Sequence, residues 1–404
     1  MNENIETYKN VPKGELDDRM KRFMSAMDKT YPDWGMCAVV GAVNMYYLTG
    51  TIQDGTLLIE RGKSATLWVR RSYDRAVLES EFQDIRRMGS FRDVAPNYKS
   101  IPETLYLDMS EANMQWYRFL TKYMPFKKTL PVDAILLKTR SVKSQYEIKR
   151  MRKAGGAVSR LLREEAPLLM REDMSEVDLG AELFSLFLRN GHHGITRFSM
   201  HNVDPLLGHV GFGESTFYPS VFNGASGQVG LCPAAPVLGN RQIKLKHGDL
   251  VYIDVVFGVE GYNSDKTQVY SFGKRQSAYV EDVYRHCIEL EKLAVSMLRP
   301  GTKPSEIYNA VLKVVQPKLR ECFMGAAGRT VPFLGHGTGL YVDEWPVITN
   351  GFDDPLECGM TIAIEPKFGI EGVGIVGSEN TYLITEQGAE CMTGGIEEII
   401  LCPV

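Results

Sequence analysis

Two α/β domains are what this sequence predicts, and three observations carry the prediction. The chain has 404 residues, more than one hydrophobic core usually supports. Apolar stretches of strand length alternate with amphipathic helical stretches along most of it. The charged helical run Lys138 to Ala154 (KTRSVKSQYEIKRMRKA) reads as a link between the halves, and the texture of the chain changes beyond it.

Taken in order, Glu15 to Met27 has apolar residues near helical spacing and predicts an amphipathic helix. Cys37 to Val43 is apolar and partly β-branched, as expected of a buried strand, and leads into Asn44-Met45-Tyr46-Tyr47-Leu48-Thr49-Gly50. Thr56 to Ile59 and Ala65 to Val69 predict strands joined by a turn at Arg61-Gly62-Lys63. Strand and helix alternate up to about Ile135. Beyond the link, helical pattern runs from Ala157 to Leu169, and Ser175 to Asn190 predicts a helix with Ser175 as its N-cap. Phe198 to Leu245 is rich in Gly, Pro, Ser and Asn. From Asp249 strands and turns alternate, interrupted by a helix over Ala278 to Leu298 and a second running from after Pro304 to about Leu319. Late strands are expected at Thr361 to Ile364, Asn380 to Ile384 and Ile399 to Leu401.

Composition narrows the function classes. A formal net charge of -4, with Lys and Arg scattered along the chain, leaves no basic footprint for nucleic acid. No apolar run approaches a membrane span, and the N-terminus lacks the pattern of a signal peptide, so a cytoplasmic protein is expected. The seven cysteines include no Cys-x-x-Cys pair, which predicts reduced thiols, mostly buried, rather than disulfides or structural zinc.

The chemistry concentrates late in the chain. If Val259 and Glu260 form a two-residue hairpin loop, residues whose numbers add to 519 face one another, and Asp254 and Asp265 do so. A hairpin centred on Gly372 pairs numbers adding to 744, as Glu365 and Glu379 do, although Pro366 and the glycines weaken that register. Singly, each Asp reads as a turn residue, Glu379 as a solvated acid and His336 as a structural histidine among glycines. Four converging acids would carry a charge of -4, which two divalent cations neutralise, with the His336 imidazole as a further ligand.

These same residues carry a resemblance. The order Asp254, Asp265, His336, Glu365, Glu379 resembles the ligand set of the M24 metallopeptidases, the creatinase, prolidase and methionine aminopeptidase group with the pita-bread fold. Ser264-Asp265-Lys266-Thr267, Gly335-His336-Gly337-Thr338-Gly339-Leu340 and Gly359-Met360 leading into Ile364-Glu365-Pro366 fit its local patterns. The N-terminal half resembles the creatinase N-terminal domain, most clearly at Asn44 to Gly50, and Lys143-Ser144 through Glu147-Ile148 fits the linker. The resemblance implies a creatinase-like domain over 1–141 and a pita-bread domain over 142–404. It implies Asp254 bidentate on one metal, Asp265 and Glu379 bridging, and His336 with Glu365 completing the second. It also implies a homodimer and, given these donors, two divalent ions, Mn first, with Fe, Zn or Co as alternatives.

The sequence departs from that group at several places. Where a His-Glu pair is expected seven residues after the ligand His, Asp343-Glu344 stands, followed by Trp345-Pro346. The segment Gly230 to Pro236 has no His before the first Asp ligand, and the expected arginines are Gly377 and Gln268. By the resemblance, the first two losses remove groups that would donate to the substrate carbonyl and steady the tetrahedral intermediate. The expected function is metal-assisted amide hydrolysis of a short peptide or other small molecule, with Glu365 as base and Asp343 meeting a substrate amine. An alternative is a lyase. Asp-Glu-Trp-Pro resembles the dimethylsulfoniopropionate lyase branch, in which Asp343 would be the proton-abstracting base. One extra residue before Asp343, and Val256 in place of an acid, depart from that branch. A third reading is a non-catalytic binding module. Arg197, His201 and His209 are candidates for the pocket entrance, suited to a substrate carboxylate, and Trp345 and Tyr262 are candidates for the pocket walls.

Overall fold

In the computed structural model, contacts divide the chain into Met1–Arg140 and Ser141–Val404. The structure describes residues 10–200, 203, 205–237, 239–326, 328–394 and 398–403. Among them no helix is long and apolar enough to cross a membrane. The seven cysteines are free, but only Cys37, Cys287 and Cys402 are fully buried; Cys232, Cys358 and Cys391 are exposed, fewer buried than the sequence suggested.

The first unit is built on a six-stranded sheet of strands β1 (Met36–Val39), β2 (Gly55–Glu60), β3 (Thr66–Val69), β4 (Ile85–Arg87), β5 (Thr104–Leu107) and β6 (Lys128–Pro131), in the order β4-β3-β2-β1-β5-β6. Met36, Ala38, Leu58, Trp68, Leu105 and Leu107 put one face of this sheet into a core closed by Phe91, Leu120 and Met124. The expected strand over Cys37 to Val43 is shorter than its apolar run. After Val39 the chain turns, and Ala42–Thr49 is helical. The buried Asp108 carboxylate explains the break, because it accepts from the backbone N–H of Val40 and Gly41 and from Asn44 Nδ2.

The second unit opens with Gln145–Arg160, whose start is fixed by a reciprocal capping pair of Ser144 and Glu147. Ser175 and Asp178 cap Glu176–Arg189 in the same way, as the sequence predicts. The helix after Pro304 ends at Val314, short of the expected Leu319. Pro317, which has no N–H to give, opens a separate helical turn over Pro317–Cys322 instead.

The unit's main sheet runs β13 (Glu344–Thr349), β12 (Phe333–Gly337), β14 (Thr361–Ile364), β17 (Glu379–Thr385), β9 (Tyr262–Phe272), β8 (Leu250–Val259), β7 (Gly208–Phe212). On the side, β18 (Gly388–Cys391) pairs with β17, and β19 (Ile400–Cys402) pairs with β9. Two short hairpins, β10–β11 (Gly325–Ala326 with Arg329–Thr330) and β15–β16 (Lys367–Ile370 with Gly374–Gly377), lie off this path. Strand period divides β8 between two cores. Val251, Ile253, Val255 and Phe257 join the core of Val158, Leu183 and Phe187, while Leu250 and Tyr252 join that of the helix Ala278–Met297. Asp254 continues the second face, and this parity aims it at the candidate site.

Candidate metal centre

The β8–β9 loop is Glu260-Gly261, not Val259-Glu260. Val259 pairs with Tyr262, and both loop residues have positive φ, 50° and 93°. The register therefore differs from the expected one by two. Asp254 lies opposite Thr267, and Asp265 lies opposite Val256. A shift of two preserves the face, so the two carboxylates remain on one surface as diagonal neighbours. The rear register is as the spacing predicts: β14–β17 and β15–β16 both pair numbers adding to 744, with Glu365 and Glu379 at the junction between the ladders. Thr267 ties the strands together by donating to Glu379 Oε2 at 2.8 Å. His336 enters from β12, opposite Ala363.

The five residues converge, and they form two poles. At one, His336 Nε2 lies 3.6 Å from Glu365 Oε1, 3.9 Å from Asp265 Oδ2 and 3.9 Å from Glu379 Oε1. At the other stands a residue the sequence analysis did not single out. Lys367 is 1% exposed, and its Nζ donates to Glu365 Oε2 at 2.7 Å, Glu379 Oε2 at 2.8 Å and Asp254 Oδ2 at 2.9 Å. Asp254 Oδ2 also accepts from Tyr252 Oη at 2.7 Å. The signal for Lys367 was the strand period, because residue 367 shares a face with residue 365.

The poles differ electrostatically. Burial would raise the Asp254 carboxyl, but the Lys367 ammonium and His209 hold it well below the usual carboxylate range. Burial, with the charge of Asp254 added, pushes Asp265 up to about 7. Glu379 is raised as well, by burial and then by Asp265. Burial would lower the Lys367 ammonium, yet Asp254, Glu365 and Glu379 hold it well above an ordinary lysine.

A divalent ion fits the His336 pole. One ligand atom each from Asp265, His336 and Glu379 lie within 4.8 Å of one another, and buried Asp265 Oδ1 has no hydrogen-bond partner. An imidazole with carboxylate oxygens is a suitable donor set for Mn, Fe, Co or Zn. At the Asp254 pole the place between the carboxylates is filled by the ammonium, so the expectation of two ions does not fit the residues as they stand.

Residues 149–386 match the model of metallopeptidase family M24, and residues 19–142 match the creatinase/prolidase N-terminal domain. The chain belongs to metallopeptidase family M24. It is a member of a family of metal-dependent hydrolases, in a creatinase-type two-domain arrangement. The Xaa-Pro dipeptidase of Pyrococcus furiosus is 26% identical over 95% of this chain and 100% of its own length. The crystal structure of the prolidase from Pyrococcus horikoshii superposes with a TM-score of 0.78 at 25% identity, covering 95% of this chain and all of that one. Dipeptidase PepE from Mycobacterium ulcerans shares the fold, with a TM-score of 0.79 at 23% identity over 98% and 100% of the two chains.

In this M24 protein the centre opens into a cavity lined also by Asp343, Trp345, His209 and Phe222. Asp343 is fixed by Ser199, whose N–H donates to Oδ1 at 2.6 Å and whose hydroxyl donates to Oδ2 at 2.7 Å. Burial raises the Asp343 carboxyl, with these bonds opposing the shift. Trp345 packs edge-on against Phe352. His209 lies opposite Asp254 in the β7–β8 ladder, with Nδ1 2.8 Å from Ser226 Oγ. Burial pushes His209 down to about 4, so its ring is neutral near pH 7. Arg197 does not line the cavity, contrary to expectation. Its carbonyl accepts from the Val342 N–H, and its charge acts on His193. Tyr262 is likewise buried away from the cavity, at the start of β9, and His201 lies outside the described residues.

Proposed function

We propose that this M24 protein hydrolyses the amide bond of short peptides with a free amino terminus, Xaa-Pro dipeptides first among them. The observation that carries the reading is the convergence of Asp254, Asp265, His336, Glu365 and Glu379 at one cavity, in a chain related over nearly its whole length to an Xaa-Pro dipeptidase. A bound divalent ion, Mn first and Fe, Zn or Co otherwise, would supply an activated water and polarise the attacked carbonyl. Glu365, with Oε1 toward the His336 pole, would take the proton from the water and pass it to the leaving nitrogen. Asp343 stands at the cavity as an acceptor for the substrate's ammonium. Trp345 supplies an apolar wall, and neutral His209 a hydrogen-bonding group without charge.

The two bonds from Ser199 favour this use of Asp343 over proton abstraction in a lyase. They leave it further acceptor sites for an amine but oppose its taking up a proton. The test is turnover of Xaa-Pro dipeptides and tripeptides after loading with Mn, Co, Fe or Zn. Hydrolysis that falls by about 10²–10⁴ in Glu365→Gln is expected. No turnover with any of the four metals sinks the reading. The proposal includes a homodimer, read by light scattering, and a cytoplasmic site of action, read by cell fractionation.

A further inference from the structure

We propose that Lys367 is a built-in cation that takes the place of one of two metal ions, so that the centre binds a single divalent ion, at the His336 pole. The inference rests on reading the five residues as a metal centre and goes on to fix how many ions it holds.

The geometry has three parts. First, an ammonium has three N–H donors, and the three close oxygens at Lys367 come one each from Asp254, Glu365 and Glu379. That nitrogen therefore stands at the focus of three carboxylates, where a bound cation would otherwise sit. Second, Glu365 and Glu379 divide their oxygens. Each gives Oε2 to the ammonium and turns Oε1 toward His336. They have the disposition of ligands spanning two cations, one of them already present as a side chain. Third, the backbone makes room for the lysine stem. Lys367 pairs directly with Gly377 in the β15–β16 ladder. A Cβ at residue 377 would fall well inside van der Waals contact with Lys367 Cγ and 2.9 Å from its Cα. The cationic side chain of Lys367 points among the acids.

Charge decides the count. Four carboxylates carry -4; one divalent ion and one ammonium reduce this to -1. A second divalent ion would have to displace the ammonium from three short ion pairs in a buried site, leaving the lysine charge with no other place prepared for it. At the His336 pole, by contrast, Asp265 Oδ1 is buried without a partner, as expected of a ligand atom awaiting an ion.

The test is metal stoichiometry, which needs no turnover. The full chain is dialysed to equilibrium against Mn(II) and its bound metal is measured by elemental analysis. One ion per chain is expected in the wild type and two in Lys367→Gly, a twofold rise. Two ions or none in the wild type, or an unchanged count in a folded Lys367→Gly, overturns the proposal. Should the variant fail to fold, electron paramagnetic resonance of the Mn-loaded wild type decides. The six-line signal of an isolated Mn(II) is expected, and an exchange-coupled multiline signal overturns the proposal. An inactive protein with the expected counts sinks the hydrolase reading and leaves this one standing. Hydrolysis by a wild type holding two ions does the reverse.

Discussion

The two poles of the acidic centre face the same problem and meet it differently. At the Asp254 pole the positive charge is covalently attached, permanent, and hydrogen bonded to three carboxylates at 2.7–2.9 Å. At the His336 pole the base is an imidazole, which burial would lower but Glu365 and Asp265 raise, and Asp265 is left with a buried, unpartnered oxygen and a pKa pushed up to about 7. Buried charge is tolerated where a cation is within reach; where none is, a carboxylate takes up a proton or an exchangeable ion. The difference between the poles is the difference between a structural cation and a functional one.

The largest break in this comparison comes from removing the permanent cation. Lys367→Ala leaves three buried carboxylates without their counter-ion, and the metal-free protein should lose about 3–5 kcal/mol of stability. Urea unfolding reads this directly, and an unchanged midpoint would mean that the acids solve their repulsion without the lysine.

A buried acid in the first unit separates the effect of charge from that of hydrogen bonding. Asp108 accepts from two backbone N–H groups and an amide, all neutral donors. Burial nonetheless pushes it up to about 7, whereas Asp254, beside an ammonium, is held low. In the unfolded chain Asp108 returns to about 3.9. Between those values the native state keeps a proton that the unfolded state has released. Stability should therefore fall as pH rises from about 4 to 7, by up to about 1.4 kcal/mol per pH unit. Asp108→Asn should flatten that slope in urea titrations at pH 5, 6, 7 and 8. Parallel profiles for variant and wild type would remove Asp108 as the cause.

A smaller effect tests whether Gly377 exists for the lysine. Gly377→Ala overpacks the Lys367 stem and should cost about 1–3 kcal/mol. In a Lys367→Gly background the contact with Cγ is gone, while the Cα of residue 367 and the Pro366 carbonyl oxygen stay 2.9 Å from the added Cβ, so the two changes should couple in part and leave a residual cost. Fully additive costs would show that these backbone contacts, and not the lysine stem, require Gly377.

What the sequence disclosed follows from where the information is local. The register between Glu365 and Glu379 was legible because glycines and strand lengths on both sides fix it across two ladders. The front hairpin was offset because Glu260 adopts φ 50°, a left-handed conformation that a glutamate seldom takes, and Gly261 alone did not reveal it. The shift of two left Asp254 and Asp265 on a common face, so the convergence survived the error. Lys367 went unnoticed because a lysine is ordinarily a solvent residue; only the i, i+2 relation to Glu365 and the glycine opposite mark it as inward-facing. His209 and Ser199 act across contacts of 17 residues or more in the chain, to Ser226 and Asp343, and no local pattern announces such pairs.

Ser199 gives the finest test, because it sits outside the acid cluster and its hydroxyl donates to the residue assigned to the substrate's amine. Ser199→Ala removes the hydroxyl bond to Asp343 Oδ2 and keeps the backbone bond to Oδ1. About 1 kcal/mol of positioning should be lost, roughly a fivefold rise in KM for an amino-terminal substrate, with kcat and metal count little changed. The serine bonds oppose the upward shift of Asp343, so without the hydroxyl the carboxylate should protonate at higher pH. A protonated Asp343 no longer attracts an ammonium. The acid limb of kcat/KM should then move to higher pH in the variant, while a substrate blocked at its amino terminus shows no such move. If blocked and free substrates respond alike, Asp343 does not read the amine, and the cavity wall must be assigned some other task.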